Sequence, residues 1–70
     1  MTQPVRLLVN GAPREFAGAP TVAQLLEELA LGGKRLAIER NGEIVPRSRF
    51  AEERLAEGDR IEVVIAVGGG

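Results

Sequence analysis

The sequence predicts a two-layer α+β domain, in which one helix covers one face of a sheet of about five strands. Three observations carry this. Five short strand-like runs are separated by turn signals, and two pairs of them are closed by Asn-Gly. A single segment has helical periodicity with a clear start. The last run is the most apolar of the chain and belongs in the middle of a sheet. Seventy residues make one domain. A chain of this size buries only ~60 % of its unfolded surface, so the core must be compact. With Phe16 and Phe50 as the only aromatics, Leu, Val, Ile and Ala must fill it.

The elements follow in order. Val5-Arg6-Leu7-Leu8-Val9 reads as a strand, bounded by Pro4 and by Asn10-Gly11. Asn-Gly suits a type I′ turn, which needs positive φ at both central positions. The returning strand is Ala12 to Phe16, and Pro13 marks it as an edge strand that lacks a ladder donor. After the break at Gly18-Ala19-Pro20, Thr21 followed by Gln24 forms a capping-box pattern. Val22, Leu25, Leu26 and Leu29 then recur at i, i+3, i+4 and i+7, which predicts a helix with one apolar face toward the sheet. Gly32-Gly33 is its expected stop.

A second hairpin comes next. Leu36 and Ile38 alternate with Ala37 and Glu39, Asn41-Gly42 turns the chain, and Glu43-Ile44-Val45 returns with Ile44 expected in the core. Pro46 ends that strand and places it at an edge. Residues 47–59 read as an irregular connection or a single helical turn, anchored by Phe50 and Leu55, with a tight turn at Gly58-Asp59. Arg47 and Arg49 read as surface arginines, and Glu52, Glu53, Glu57 and Asp59 as a solvated stretch rather than a cation site. The final strand runs from Arg60 to Val67. The first and last strands are the most apolar and are expected side by side at the centre, with the Pro-marked strands outside.

Composition excludes several function classes. Nine basic residues against ten acidic give a net charge of −1, which lacks the concentrated positive field of a nucleic-acid binder. Cysteine and histidine are both absent, which removes disulfides, Cys/His zinc sites, thiolate nucleophiles and the commonest general base. No apolar run approaches the ~20 residues of a membrane span, and Met1-Thr2-Gln3-Pro4 does not read as a signal peptide. A cytoplasmic domain without membrane or nucleic-acid partners is expected.

The chain divides into a folded part, residues 1–67, and a glycine tail, residues 68–70. Terminal glycines are often inert. Here, however, Gly68-Gly69-Gly70 follow a buried-type strand with no polar spacer, so the strand sets where the tail begins. Three residues reach at most ~10 Å. Lacking Cβ atoms, they can pass through a channel too narrow for other side chains. The group they would present is the α-carboxylate of Gly70, a poor electrophile until a partner activates it with ATP. Gly32-Gly33-Lys34 and Asn41-Gly42 are too sparse to be a phosphate loop. The pattern is that of an enzyme's substrate, not of an enzyme.

The length, the strand order, Val9-Asn10-Gly11, the segment Glu39-Arg40-Asn41-Gly42-Glu43-Ile44-Val45-Pro46-Arg47, the Gly58-Asp59 turn and the Gly-Gly end together resemble the ThiS family of sulfur carriers in thiamin biosynthesis. The resemblance covers essentially the whole chain and implies a β-grasp (ubiquitin-like) fold with a mixed sheet. It also implies that a ThiF-like adenylyltransferase activates the C-terminal glycine with ATP. A sulfur donor (a desulfurase) then converts that glycine to a thiocarboxylate, and a ThiG-like thiazole synthase uses the sulfur. No cofactor bound by the chain itself is implied. Carried over by position, Gly70 is the modified residue and Gly69 completes the pair, with Gly68 as an extra member of the tail. Molybdopterin-type sulfur carriers and ubiquitin-like modifiers share the Gly-Gly end, and a binding module with an inert tail is the remaining alternative.

Strand alternation suggests where partners dock. On the last strand Ile61, Val63, Ile65 and Val67 share the face expected under the helix, while Val64 and Ala66 point outward. On the first strand Val5, Leu7 and Val9 point inward and Leu8 outward. Leu8, Val64 and Ala66, extended by Ala37, are expected to form a small apolar patch at the root of the tail.

Overall fold

The computed structural model describes residues 3–66. Five strands and one helix appear in the expected order: β1 (Val5–Val9), β2 (Ala12–Phe16), α1 (Val22–Glu28), β3 (Leu36–Arg40), β4 (Glu43–Val45) and β5 (Arg60–Ile65), with a 3₁₀ turn over Arg47–Arg49. They form one mixed sheet of order β2-β1-β5-β3-β4. β5 is parallel to β1 and antiparallel to β3, and both edge positions are taken by hairpin arms marked by proline, β2 with Pro13 inside it and β4 with Pro46 directly after it.

Both hairpins close as their Asn-Gly pairs dictate. Asn10 and Gly11 have φ of 51° and 83°, and Asn41 and Gly42 have 52° and 89°. The helix begins with the reciprocal capping box: Gln24 N–H donates to Thr21 Oγ1 at 3.1 Å and Thr21 N–H donates to Gln24 Oε1 at 2.9 Å. The remaining free donors of the first turn are taken by the connection before β5, as Val22 N–H bonds Glu53 O and Ala23 N–H bonds Phe50 O. The far end differs from expectation. The helix stops at Glu28 with Leu29 as C-cap, ahead of Gly32-Gly33, and Ala30 takes the left-handed φ of 59°. Leu31 N–H then closes on Leu26 O, so backbone bonding ended the helix without a glycine.

The core lies between α1 and the inner sheet face: Val5, Leu7 and Val9 from β1, Val22, Leu25 and Leu26 from α1, Ile38, Val45, Leu55, Ile61 and Val63. Leu29 and Phe50 are half-buried against it. Two inward assignments need correction. Ile44 is 62 % exposed, because Ile38 pairs with Val45 across the hairpin and turns Val45, not Ile44, inward. Ile65 is 41 % exposed although it shares parity with buried Ile61 and Val63; it is the last residue of β5 and stands outside the core cluster. β5 itself ends at Ile65, short of the expected Val67, which lies outside the described residues. Among the described residues no helix is long and apolar enough to cross a membrane.

Candidate functional site

The site is built from β5 outward. Its residues divide by parity. Asn41 N–H donates to Arg60 O at one end of the β3 pairing, and Ala66 N–H donates to Arg35 O at the other, both at register positions that exchange backbone bonds. Residues 60, 62, 64 and 66 therefore turn their N–H and C=O groups to β3, and 61, 63 and 65 turn theirs to the β1 side. β1 reaches only part of that side. Asn10 N–H bonds Ile61 O at 2.8 Å, and the Asn10 side chain then takes over from the strand: Val63 N–H donates to its Oδ1 at 2.7 Å, and its Nδ2 donates to Val63 O at 3.3 Å.

The start of β5 is held by a second Asn and an ionic cluster. Arg60 N–H donates to Asn41 Oδ1, and Asn41 Nδ2 donates to Asp59 Oδ1. Asp59 is buried and also accepts from Arg40 Nε and Ala56 N–H, both at 2.8 Å. Burial pushes the Asp59 carboxyl up, but the Ala56 N–H, the Asn41 amide and the Arg40 guanidinium together outweigh burial and hold it below the ordinary aspartate value. Arg40 also meets Glu53 at 2.9 Å. Burial disfavours the charged guanidinium, yet its two carboxylate partners raise its pKa further. The solvated-acid expectation for residues 52–59 thus fails for Asp59 and Glu53, which pair with Arg40, and Glu57 accepts from Arg6 N–H. Arg47 and Arg49 are exposed, as expected. These acids serve structure: they pin the irregular connection to β3 and set the starting register of β5. Among the described residues no group of three or more potential ligands is arranged to hold a metal ion.

The outer sheet face carries the expected docking residues, but not as one patch. Val64 is 58 % exposed and stands opposite exposed Ala37, with exposed Ala66 two residues on. Leu8 is also exposed, yet its register partner is Arg60. That puts it four residues, about 13 Å, back along β5 from Val64, with Arg60 beside it and Glu62 on the same face between them. Val64, Ala37 and Ala66 are brought together at the root of the tail, and Leu8 is not. Ile44, which had been assigned to the core, stands on the outer face opposite Glu39. The hairpin register could have found it, since an Asn41-Gly42 turn pairs Arg40 with Glu43 and so Ile38 with Val45. Gly68, Gly69 and Gly70 lie outside the described residues.

A five-stranded mixed sheet with β1 and β5 parallel at its middle and one helix across it defines a β-grasp protein of the ubiquitin-like class. The model of the ThiS family matches residues 7–70, and the chain belongs to that family. The sulfur carrier protein ThiS of Escherichia coli K12 is 32 % identical over 66 residues, which span 94 % of this chain and 100 % of that one. A solved structure titled as the thiamine biosynthesis protein ThiS of Geobacter metallireducens superposes with a TM-score of 0.78 at 33 % identity, covering 94 % of this chain and all of that one. A protein named thiazole synthase from Paramagnetospirillum magneticum is 42 % identical over 94 % of this chain, and the chain spans 20 % of its length.

Proposed function

We propose that this chain is a sulfur carrier for thiazole formation in thiamin biosynthesis, a protein cosubstrate rather than a catalyst. The observation that carries the reading is the course of β5. The strand at the middle of the sheet is held to β3 as far as the Ala66–Arg35 bond and leads in sequence directly into Gly68-Gly69-Gly70. In this reading the Gly70 carboxylate attacks the α-phosphorus of ATP within a ThiF-like adenylyltransferase, releasing pyrophosphate. The terminal sulfur of a desulfurase-type persulfide then displaces AMP, so that a C–S bond replaces the acyl C–O bond, and a thiol reductant cleaves the S–S bond of the resulting acyl disulfide to leave the thiocarboxylate. A ThiG-like thiazole synthase receives the sulfur. Gly68 and Gly69 thread the enzyme's channel because they carry no Cβ. The chain needs no cofactor of its own, and its dependence on ATP puts it in the cytoplasm.

The family match extends to Gly70 and supports this use of the tail. Relatives named thiazole synthase in which a segment similar to this chain makes up a fifth of the length favour the thiazole pathway over the molybdopterin one. The outer-face residues Val64, Ala66 and, separately, Leu8 serve as docking contacts. The test is intact mass spectrometry after incubation with the adenylyltransferase, ATP and sulfur donor. Replacement of one oxygen by sulfur at Gly70 is expected. An unchanged terminus, or a lysine-linked adduct in its place, would overturn the reading.

A further inference from the structure

The β1 side of β5 is filled up to Val63 and open after it. Ile61 is bonded by β1, Val63 by the Asn10 side chain, and Ile65, the next residue of the same parity, turns its N–H and C=O to a side where no described residue meets them. At the same point Ile65 is 41 % exposed. An unpaired backbone edge and an uncovered apolar side chain thus coincide at one residue. They do so immediately before residues 67–70, three of which are glycine.

We propose that Ile65 is a strand-addition site: an extended segment of the adenylylating enzyme pairs with the open edge of β5 at Ile65. The proposal rests on the sulfur-carrier reading and names how the tail is gripped. A glycine tail offers a partner only backbone groups, so its recognition must come from main-chain hydrogen bonds. Ordering a residue costs ~1–2 kcal/mol, and a partner segment that starts on a strand already ordered lowers that cost. Asn10 makes the edge directional, because its side chain occupies Val63 and leaves the opening only toward the tail. A second copy of this chain fits less well, since the described edge offers one residue's pair of bonds and the Asn10 amide stops it from extending backward.

The test uses the full chain with its cognate adenylyltransferase. Total synthesis replaces Ile65 by its α-hydroxy-acid analogue, turning one amide into an ester, which deletes that N–H and weakens the Val64 carbonyl that faces β3; a second protein carries the same change at Val64. The Val64 N–H is paired with β3, so its ester is expected to lower the melting temperature. The Ile65 ester is expected to lower the melt less than the Val64 ester does, because it weakens a bond to β3 without deleting a donor, and to raise the KM for adenylation about tenfold, as one lost hydrogen bond does at a desolvated contact. In hydrogen exchange, the Ile65 amide is expected to exchange freely in the isolated chain and to become protected in the complex. If the wild-type chain is adenylated while the Ile65 amide stays unprotected, or the Ile65 ester reacts like wild type, the edge proposal falls and the carrier reading stands. If the wild-type chain is not adenylated at all, both fall. Protection in the isolated chain that grows with its concentration would assign the edge to a second copy and overturn the proposal.

Discussion

Asn10 and Val63 lie 53 residues apart in sequence, and the Asn10 side chain bonds both backbone groups of Val63, at 2.7 Å to the N–H and 3.3 Å to the carbonyl. The carboxamide stands where the next residue of β1 would be, so β1 can turn away into its hairpin while β5 keeps a partner for one more rung. Asn10→Gly tolerates the φ of 51° but deletes both bonds. It is expected to cost about 1–3 kcal/mol, the cost of leaving backbone groups unpaired. A thermal melt measures the loss, and faster exchange of the Val63 amide localises it; an unshifted melt would show that water replaces the carboxamide.

Asp59 gives the fold an acid-sensitive point. Its carboxyl titrates below the ordinary aspartate value, so its stabilising contribution is whole above the unfolded pKa of ~3.9 and is lost as pH falls through the lower folded value. Asp59→Asn is therefore expected to be less stable than wild type at neutral pH, and to lose less stability between pH ~5 and ~2. Urea midpoints across that range check the sign, and parallel curves would remove Asp59 from the account.

Leu25 has no exposed surface and sits between α1 and the inner sheet face. Leu25→Ala should cost about 2–5 kcal/mol through the cavity it leaves. Total stability in a domain of this size is of order 5 kcal/mol, so the variant should be largely unfolded at 37 °C by circular dichroism.

Val64→Lys changes an outward side chain that is 58 % exposed, so the melt should stay within about a degree. Burying that valine against a partner contributes about 1.5–3 kcal/mol, so affinity for the adenylyltransferase or the thiazole synthase should fall roughly tenfold or more. Titration calorimetry against each enzyme decides. Leu8→Lys, about 13 Å away along the strand, tests whether the partner's footprint reaches that far.

Deleting Gly69 and Gly70 removes no residue of the described core. Adenylation should be abolished while the melt is retained, and pyrophosphate exchange with the truncated chain measures the first. A truncated chain that still exchanges would place the reactive group elsewhere.

Local physics settled what could be read without coordinates. Asn-Gly dictated two I′ turns, Thr21 and Gln24 dictated the helix start, and Pro13 and Pro46 sent their strands to the edges. Each of these is a rule about neighbours in the chain, and the resemblance to sulfur carriers was legible for the same reason, as a run of residues. Ile44 was misplaced although the hairpin register held the answer, because single-strand alternation cannot say which parity faces in. What only the tertiary structure decided depends on where one strand stops beside another. β1 ends level with Ile61, and that register separates Leu8 from Val64, leaves Asn10 to complete Val63 and opens the edge at Ile65. The antiparallel β3–β5 register likewise brings Arg40, Asn41 and Asp59 into one cluster across 19 residues of chain. Parallel register is set by packing between segments 50 residues apart, and no local turn encodes it.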